Sequence, residues 1–153
     1  MNQVRVLLAD DHDLIRAGIA NALRELPSLT VVAEVGDGIA LRQALSQVQP
    51  DLLLIDVTMP DFDPLSTIRH IKTNKPDLKI LVISAYDDDI YVQGLLGAGV
   101  DGYHLKDQPL SDLRLAVQRV LAGEKWVSSR LVSKLVNSTN AAPLPTSLTA
   151  RQR

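Results

Sequence analysis

The sequence contains no cysteine, which excludes disulfide bonds, thiolate metal sites and a cysteine nucleophile. Aromatic residues make up only 3% of the chain, so a hydrophobic core must be built from aliphatic side chains. No apolar stretch approaches the roughly 18 residues that a membrane-spanning helix needs. Basic residues are not in excess, because 16 Lys and Arg stand against 18 Asp and Glu. The overall charge therefore offers no case for nucleic-acid binding.

The remaining composition is that of an ordinary globular domain. Hydrophobic residues account for 46% of the 153 positions and charged residues for 22%, and this length is enough for one domain with a proper core. The first residues do not fit a secretory signal, because Asp10, Asp11 and Asp13 interrupt any apolar segment. We therefore expect a cytoplasmic protein that makes no membrane contact.

Five short aliphatic runs alternate with segments of helical periodicity. The runs are rich in Val, Ile and Leu without strict polar alternation, as is typical of strands that are covered on both faces. Such alternation predicts an α/β fold, in which a parallel sheet carries helices on both faces. The predicted strands are 4–9, 30–35, 51–55, 79–84 and 101–105, and the predicted helical segments are 14–26, 39–48, 63–72, 88–99 and 109–123.

Two helices carry more detailed predictions. Asp63 is expected to cap the third helix, with Pro64 at the first helical position, where proline is well suited. One face of the first helix is expected to be apolar. The residues of that face are Leu14, Ile15, Ala22, Leu23 and Leu26.

The end of the sequence differs in character from the rest. Residues 128–136 predict one more short helix, whereas 137–147 are polar, contain proline and lack apolar periodicity. Only the six residues 148–153 follow this predicted linker, too few for a domain of their own.

Polar side chains follow or end four of the predicted strands. Asp10 and Asp11 follow the first strand, Asp56 the third and Lys106 the fifth, while Ser84 ends the fourth. In an open parallel sheet, ligands bind outside the carboxyl ends of the strands. We therefore expect three carboxylates, a hydroxyl and an ammonium group to meet at one edge of the sheet.

This set of groups favours phosphoryl chemistry. Three close carboxylates are suited to a hard divalent cation such as Mg²⁺, which keeps several waters and accompanies phosphate. A carboxylate can also act as a nucleophile and form an aspartyl phosphate, with Lys106 and the metal neutralising charge. Taken singly, each residue has a simpler interpretation: Asp10 or Asp11 as a helix cap, Asp56 as a loop residue, and Lys106 as a solvated side chain.

The motifs together resemble the receiver domain of bacterial two-component response regulators, of the NarL/LuxR type. The matching stretches are "LLADDH" (7–12), "DLLLIDVTMP" (51–60), "ILVISA" (80–85) and "AGVDGYHLKD" (98–107). The resemblance covers about residues 3–135 and implies a five-stranded sheet in the flavodoxin-like order 2-1-3-4-5.

The resemblance also implies a division of the chain. Residues 1–124 would form the receiver domain, and 125–147 a linker with a short helix. Residues 148–153, "LTARQR", resemble the first residues of a helix-turn-helix domain that is cut short.

Carried over residue by residue, the resemblance implies a phosphorylation site with a metal ion. Asp56 would be the phosphoacceptor. Mg²⁺ would be bound by Asp10, Asp11 and Asp56, together with the backbone carbonyl of Thr58.

Further residues would bind the phosphoryl group and respond to it. Ser84 would be the switch hydroxyl, Lys106 its salt-bridge partner, and Tyr103 the aromatic side chain that reorients with Ser84. Thr58 and Tyr86 would occupy positions that tune the lifetime of the phosphoryl group.

The implied function is signalling and not that of a conventional enzyme. A sensor histidine kinase would donate the phosphoryl group, and the domain would catalyse its own phosphorylation and dephosphorylation. Phosphorylation would promote a homodimer and switch a DNA-binding output that controls transcription. DNA contact would come only through the missing C-terminal domain.

The stretch Asp61–Phe62–Asp63–Pro64 departs from the family pattern, which has two glycines there, and stiffens the loop after Asp56. A receiver-like fold that no longer takes phosphate is therefore one alternative. A second is a haloacid-dehalogenase-like phosphatase, although Thr58 stands where its second aspartate belongs. A third is a flavodoxin-like cofactor binder, although no Ser/Thr/Gly-rich phosphate loop follows the first strand.

Overall fold

The chain folds into a parallel sheet flanked by five helices, as described by a computed structural model over residues 3–85 and 89–128, without the side chains of 89–91. Within these ranges, no helix combines the length and the apolar character that crossing a bilayer requires. The strands are β1 (Val4–Ala9), β2 (Leu29–Val35), β3 (Leu52–Asp56), β4 (Lys79–Ser84), β5 (Gly102–Leu105) and β6 (Trp126–Val127). The helices are α1 (Asp13–Leu23), α2 (Gly38–Val48), α3 (Pro64–Asn74), α4 (Asp89–Gly97) and α5 (Leu110–Leu121).

The strands lie in the order β2-β1-β3-β4-β5-β6, and every neighbouring pair is parallel. The α/β prediction and the order of the first five strands are confirmed. The short strand β6 is an addition, pairing Trp126 with Gly102 and Val127 with Tyr103. The predicted linker begins at residue 125, and its first residues form this strand. The predicted short helix and the segment 148–153 lie outside the described residues.

Alternating strand residues supply two separate core layers. In β3, Leu53 and Ile55 join the layer under α2, α3 and α4, whereas Leu52 and Leu54 join the layer under α1 and α5. The same alternation runs through β1 and β4. Because both faces are covered, these strands are apolar at nearly every position, as the sequence pattern predicts.

The predicted apolar face of α1 is wrong at its beginning. Leu14 is 86% exposed and Ile15 is 40% exposed, and the buried residues include Ile19, Ala20 and Leu23. At 3.6 residues per turn, Leu14 points about 160° away from the centre of that buried face. Ile15 is closer in angle but lies a full turn ahead of Ile19, in the first turn of the helix.

The beginning of α3 agrees with its prediction except for one hydrogen bond. Asp63 is the N-cap residue and Pro64 is the first helical residue. The carboxylate of Asp63 accepts no backbone N–H, but it accepts the Ser66 hydroxyl at 2.8 Å.

At the amino edge of the sheet, the carboxylate of Asp101 is the centre of a cluster of hydrogen bonds and ion pairs. Oδ2 accepts the Ile80 N–H at 2.9 Å and the Lys72 ammonium at 3.0 Å, and Lys125 lies 3.5 Å from Oδ1. Burial raises the pKa of Asp101, but these hydrogen bonds and lysines outweigh burial and hold the pKa below its ordinary value. The cluster joins β4, α3 and the residues that lead into β6.

The loop after β3 packs directly against the beginning of α2. The Gly38 N–H donates to the Pro60 carbonyl at 2.9 Å, and a Cβ added to Gly38 would collide with the carbonyl oxygen of Asp61. Asp61 has a φ of +55°, a left-handed conformation that aspartate tolerates better than most residues. Glycine at position 38 is thus required by the close approach of this loop.

We expect Gly38→Ala to destabilise the fold by about 1–3 kcal/mol, because the methyl group forces the 60–61 backbone to move. The matched control is Gly18→Ala in α1, where no atom lies within 4 Å of an added Cβ. That change should stabilise the protein by about 0.5–1 kcal/mol through helix propensity. Urea unfolding of both variants provides the measurement, and equal effects would contradict the proposed contact.

Candidate functional site

The carboxyl ends of four strands bring the predicted polar residues to one edge of the sheet. Asp10 follows β1, Asp56 is the last residue of β3, Ser84 is the last residue of β4 and Lys106 follows β5. A backbone hydrogen bond of 2.8 Å from the Lys106 N–H to the Ser84 carbonyl extends the pairing of β4 and β5 to this edge. The structure thus brings these residues to the one edge of the sheet at which the sequence pattern predicts that they meet.

A single ammonium group lies between two buried carboxylates. Lys106 Nζ is 2.9 Å from Asp56 Oδ2 and 3.4 Å from Asp10 Oδ2, and both aspartates are 1% exposed. Lys106 therefore neutralises part of the charge that these two residues carry at the centre of the site.

Thr58 makes two hydrogen bonds to Asp56 that the sequence analysis did not foresee. Its backbone N–H donates to Asp56 Oδ1 at 3.0 Å, and its hydroxyl donates to the same oxygen at 2.8 Å. Burial raises the pKa of Asp56, but the hydrogen bonds from Lys106 and Thr58 outweigh burial and hold the pKa below its ordinary value. Asp56 is therefore an ionised carboxylate at neutral pH.

His12 is a member of the site that the sequence analysis missed. Its Nδ1 lies 3.2 Å from Asp10 Oδ1, 3.1 Å from Asp11 Oδ1 and 3.6 Å from Asp56 Oδ2. The His12 backbone N–H also donates to Asp10 Oδ1 at 2.8 Å, a local turn that places the ring beside the carboxylates. The only available signal was its position directly after the paired aspartates.

Arg16 contacts the backbone of the site, and the sequence pattern does not predict this contact. Its guanidinium donates to the Asp10 backbone carbonyl at 2.6 Å and forms ion pairs with Asp13 at 2.9 Å and Glu34 at 3.3 Å. These contacts tie the backbone that carries Asp10 to α1 and β2.

The acidic residues fit a divalent cation. An oxygen or nitrogen atom from each of Asp10, Asp11, His12 and Asp56 lies within 4.8 Å of the others. Asp10 Oδ2 is buried and accepts no hydrogen bond from the described residues, so it has capacity for a cation. Three carboxylates against one ammonium also leave a negative charge that a Mg²⁺ ion would compensate.

Of the other predicted site residues, the structure describes Ser84, Tyr103 and Thr58. Ser84 and Tyr103 are both fully buried, and the Tyr103 carbonyl accepts the Ser128 N–H at 3.1 Å. Thr58 is exposed beside Asp56, whereas Tyr86 lies outside the described residues.

We expect Lys106→Met, which removes the ammonium but keeps an unbranched side chain, to raise the pKa of Asp56. Burial would then be opposed only by the hydrogen bonds from Thr58. A lowered folded-state pKa contributes stability that is present above the unfolded value of about 3.9 and is lost as pH falls through the folded pKa. The variant should therefore lose part of this pH-dependent stability.

The measurement is a pH titration of the Asp56 carboxyl carbon by NMR in the presence of EDTA. Lys75→Met, at the end of α3, is the matched control and should leave the Asp56 titration where it is. An unaltered Asp56 titration in Lys106→Met would mean that Thr58 alone holds the pKa down.

Comparison with known proteins points to one family. The sequence profile described as "Response regulator receiver domain" matches residues 6–118. Oxygen regulatory protein NreC of Staphylococcus epidermidis is 36% identical over 135 residues, which cover 88% of this chain and 62% of NreC. Response regulator GacA of Pseudomonas aeruginosa is 32% identical over 132 residues, which cover 86% of this chain and 62% of GacA. The chain thus spans less than two thirds of the length of these curated relatives.

Solved structures agree with this similarity. A response regulator RcsB of Salmonella typhimurium superposes with a TM-score of 0.83 at 29% identity, covering 92% of this chain and 69% of that one. The isolated receiver domain of RcsB, with the phosphomimetic BeF₃⁻, superposes with a TM-score of 0.80 at 28% identity, covering 88% of this chain and 99% of that one. Another structure contains two RcsB dimers bound to two parallel DNAs.

Proposed function

The chain belongs to the response regulator receiver domain family, and from this membership we propose that Asp56 accepts a phosphoryl group and thereby controls a transcriptional output. A sensor histidine kinase is the proposed donor, and a DNA-binding domain is the proposed output. The receiver domain, the kinase and the DNA-binding domain would meet in the cytoplasm. The observation that carries the proposal is the buried carboxylate of Asp56, which accepts hydrogen bonds from Lys106 and Thr58 beside Asp10.

The proposed reaction uses Asp56 as the nucleophile. An oxygen of its carboxylate attacks the phosphorus of the donor's phosphohistidine, so that an O–P bond forms while the P–N bond breaks. The leaving imidazole nitrogen keeps the electron pair of that bond. A low pKa at Asp56 supports this step, because the carboxylate needs no deprotonation at neutral pH.

The residues around Asp56 would bind the transferred group and its cation. Asp10, Asp11, Asp56 and the backbone carbonyl of Thr58 would hold Mg²⁺, which when bound supplies positive charge beside the phosphoryl oxygens. Lys106, 2.9 Å from Asp56 Oδ2, would move its ammonium onto a phosphoryl oxygen.

The proposed output of this chemistry is a change at the ends of β4 and β5. The hydroxyl of Ser84 would close on the phosphoryl group, and Tyr103, on the neighbouring strand, would reorient with it. Such a local charge change can bias a structural element that has two arrangements. The domain is therefore proposed to catalyse its own modification while acting as a switch.

We expect the wild-type chain, incubated with acetyl phosphate and Mg²⁺, to gain the mass of one phosphoryl group. Asp56→Asn should abolish this gain and keep the fold, because the amide is isosteric with the carboxylate but is not a nucleophile. Asp77→Asn, an exposed residue before β4, is the matched control and should be phosphorylated like the wild type. Intact mass spectrometry makes the measurement.

Two results would count against the proposal. Undiminished modification of Asp56→Asn would place the phosphoryl group elsewhere. No modification of the wild-type chain would favour the alternative that this receiver fold no longer takes phosphate.

We also expect phosphorylation to promote a homodimer, as befits a family in which RcsB forms dimers on DNA. Addition of BeF₃⁻ with Mg²⁺ should raise the mass measured by light scattering toward twice the 16.7 kDa of one chain. Asp56→Asn should remain monomeric under the same conditions. Equal monomer masses with and without BeF₃⁻ would contradict dimerisation of this chain.

A further inference from the structure

The acidic site contains one nitrogen donor among its oxygens. Nδ1 of His12 lies 3.2 Å from Asp10 Oδ1 and 3.1 Å from Asp11 Oδ1, while the His12 side chain keeps 54% of its surface exposed. In the tautomer that carries its proton on Nδ1, the ring donates to these oxygens; in the tautomer that carries it on Nε2, Nδ1 presents a lone pair to a cation among them. His12 Nδ1 is thus close enough to the carboxylates to bind the same cation.

Two of the separations from His12 Nδ1 are close to those between adjacent ligands of an octahedral coordination shell. Ligands that bind a cation at about 2.1–2.2 Å lie about 3.0–3.1 Å apart when adjacent and about 4.2–4.4 Å apart when opposite. The distances of 3.1 Å from His12 Nδ1 to Asp11 Oδ1 and 3.2 Å to Asp10 Oδ1 correspond to adjacent positions, whereas Asp56 Oδ2, at 3.6 Å, lies between the two values. The limit of 4.8 Å on all separations among Asp10, Asp11, His12 and Asp56 accommodates opposite positions.

A second observation points to a cation at this place. Asp10 is 1% exposed, and its Oδ2 accepts no hydrogen bond from the described residues, although burying such an oxygen without one is costly. The Lys106 ammonium, 3.4 Å away, supplies only part of the required positive charge because it donates to Asp56. A divalent ion bound by Asp10 Oδ2 would supply the charge that Lys106 does not.

We propose that His12 is a metal ligand and that it gives this site a preference for a transition-metal ion, such as Mn²⁺, over Mg²⁺. The inference rests on the proposed function, because it concerns the cation that accompanies phosphorylation of Asp56. Mg²⁺ prefers oxygen ligands and keeps its waters, whereas transition-metal ions gain more from a nitrogen ligand, in an order of affinity that rises from Mn²⁺ to Cu²⁺. Replacing one water by His12 Nδ1 therefore favours Mn²⁺ more than it favours Mg²⁺.

The test compares Mn²⁺ and Mg²⁺ binding in the complete 153-residue chain by isothermal titration calorimetry. His12→Asn, which replaces the imidazole by an amide, should reduce the ratio of Mn²⁺ to Mg²⁺ affinity, because an amide oxygen lacks the nitrogen lone pair that favours Mn²⁺. His70→Gln, on the exposed surface of α3, is the matched control and should keep the wild-type ratio.

Pulsed electron paramagnetic resonance of the Mn²⁺-loaded chain supplies the second readout. A nitrogen hyperfine coupling should be present in the wild type and in His70→Gln, and it should be lost in His12→Asn. A Mn²⁺ spectrum without nitrogen coupling in the wild type would overturn the inference, as would an unchanged affinity ratio in His12→Asn.

Phosphorylation of the wild type with Mg²⁺ alone separates this inference from the proposed function. If Asp56 is modified but no nitrogen coupling is found, only the role of His12 is wrong. If Mn²⁺ binds with nitrogen coupling but Asp56 is not modified, the ligand role stands and the phosphorylation proposal fails. If neither ion binds, the metal role of His12 is overturned.

Discussion

The contact between Lys106 and Asp56 is the interaction on which the site depends. β4 lies between β3 and β5 in the sheet, so the 2.9 Å ion pair reaches across the end of the strand that carries Ser84. Without the ammonium, Asp56 and Asp10 would be two buried negative charges on adjacent strands, an arrangement that is strongly unfavourable. The register of the parallel sheet is thus what makes a cluster of buried carboxylates tolerable.

Carboxylates and lysine ammonium groups meet at both edges of the sheet, but lysines are in excess at the amino edge and carboxylates at the carboxyl edge. At the amino edge, one carboxylate, Asp101, is shared by Lys72 and Lys125 and by a backbone N–H, so its hydrogen-bonding capacity is well used. At the carboxyl edge, carboxylates outnumber the one ammonium, and a buried oxygen of Asp10 has no hydrogen-bond donor among the described residues. The first arrangement stabilises the fold, whereas the second keeps capacity for a cation and a phosphoryl group.

Much of this architecture could be predicted from the sequence, because strand ends in a parallel sheet necessarily meet. Runs such as "VRVLLA" identified the strands, and the residues at their ends located Asp10, Asp56 and Lys106 at one edge. The position of the His12 ring was not predictable, because it depends on a turn closed by the Asp10 carboxylate. The strand β6 was missed because two residues are too short for a periodic pattern to indicate a strand.

The wrong prediction for Leu14 and the unpredicted contacts of Thr58 have other causes. The apolar character of Leu14 predicts a buried position, although its angle around the helix directs it to solvent. The two hydrogen bonds from Thr58 to Asp56 depend on the conformation of the loop after β3, and that conformation is held by a contact with Gly38 distant in sequence. A local pattern contains no information about such a contact.

The hydrogen bonds that bind Ser128 to β5 make a mechanical linkage. Its N–H donates to the Tyr103 carbonyl at 3.1 Å, and its hydroxyl accepts the Leu105 N–H at 3.1 Å. Lys106 follows directly after this strand, so these two hydrogen bonds connect the strand end that leads to Lys106 with Ser128. A displacement of the β5 end at the acidic site would therefore also act on the edge strand β6, through hydrogen bonds that are not part of the site itself.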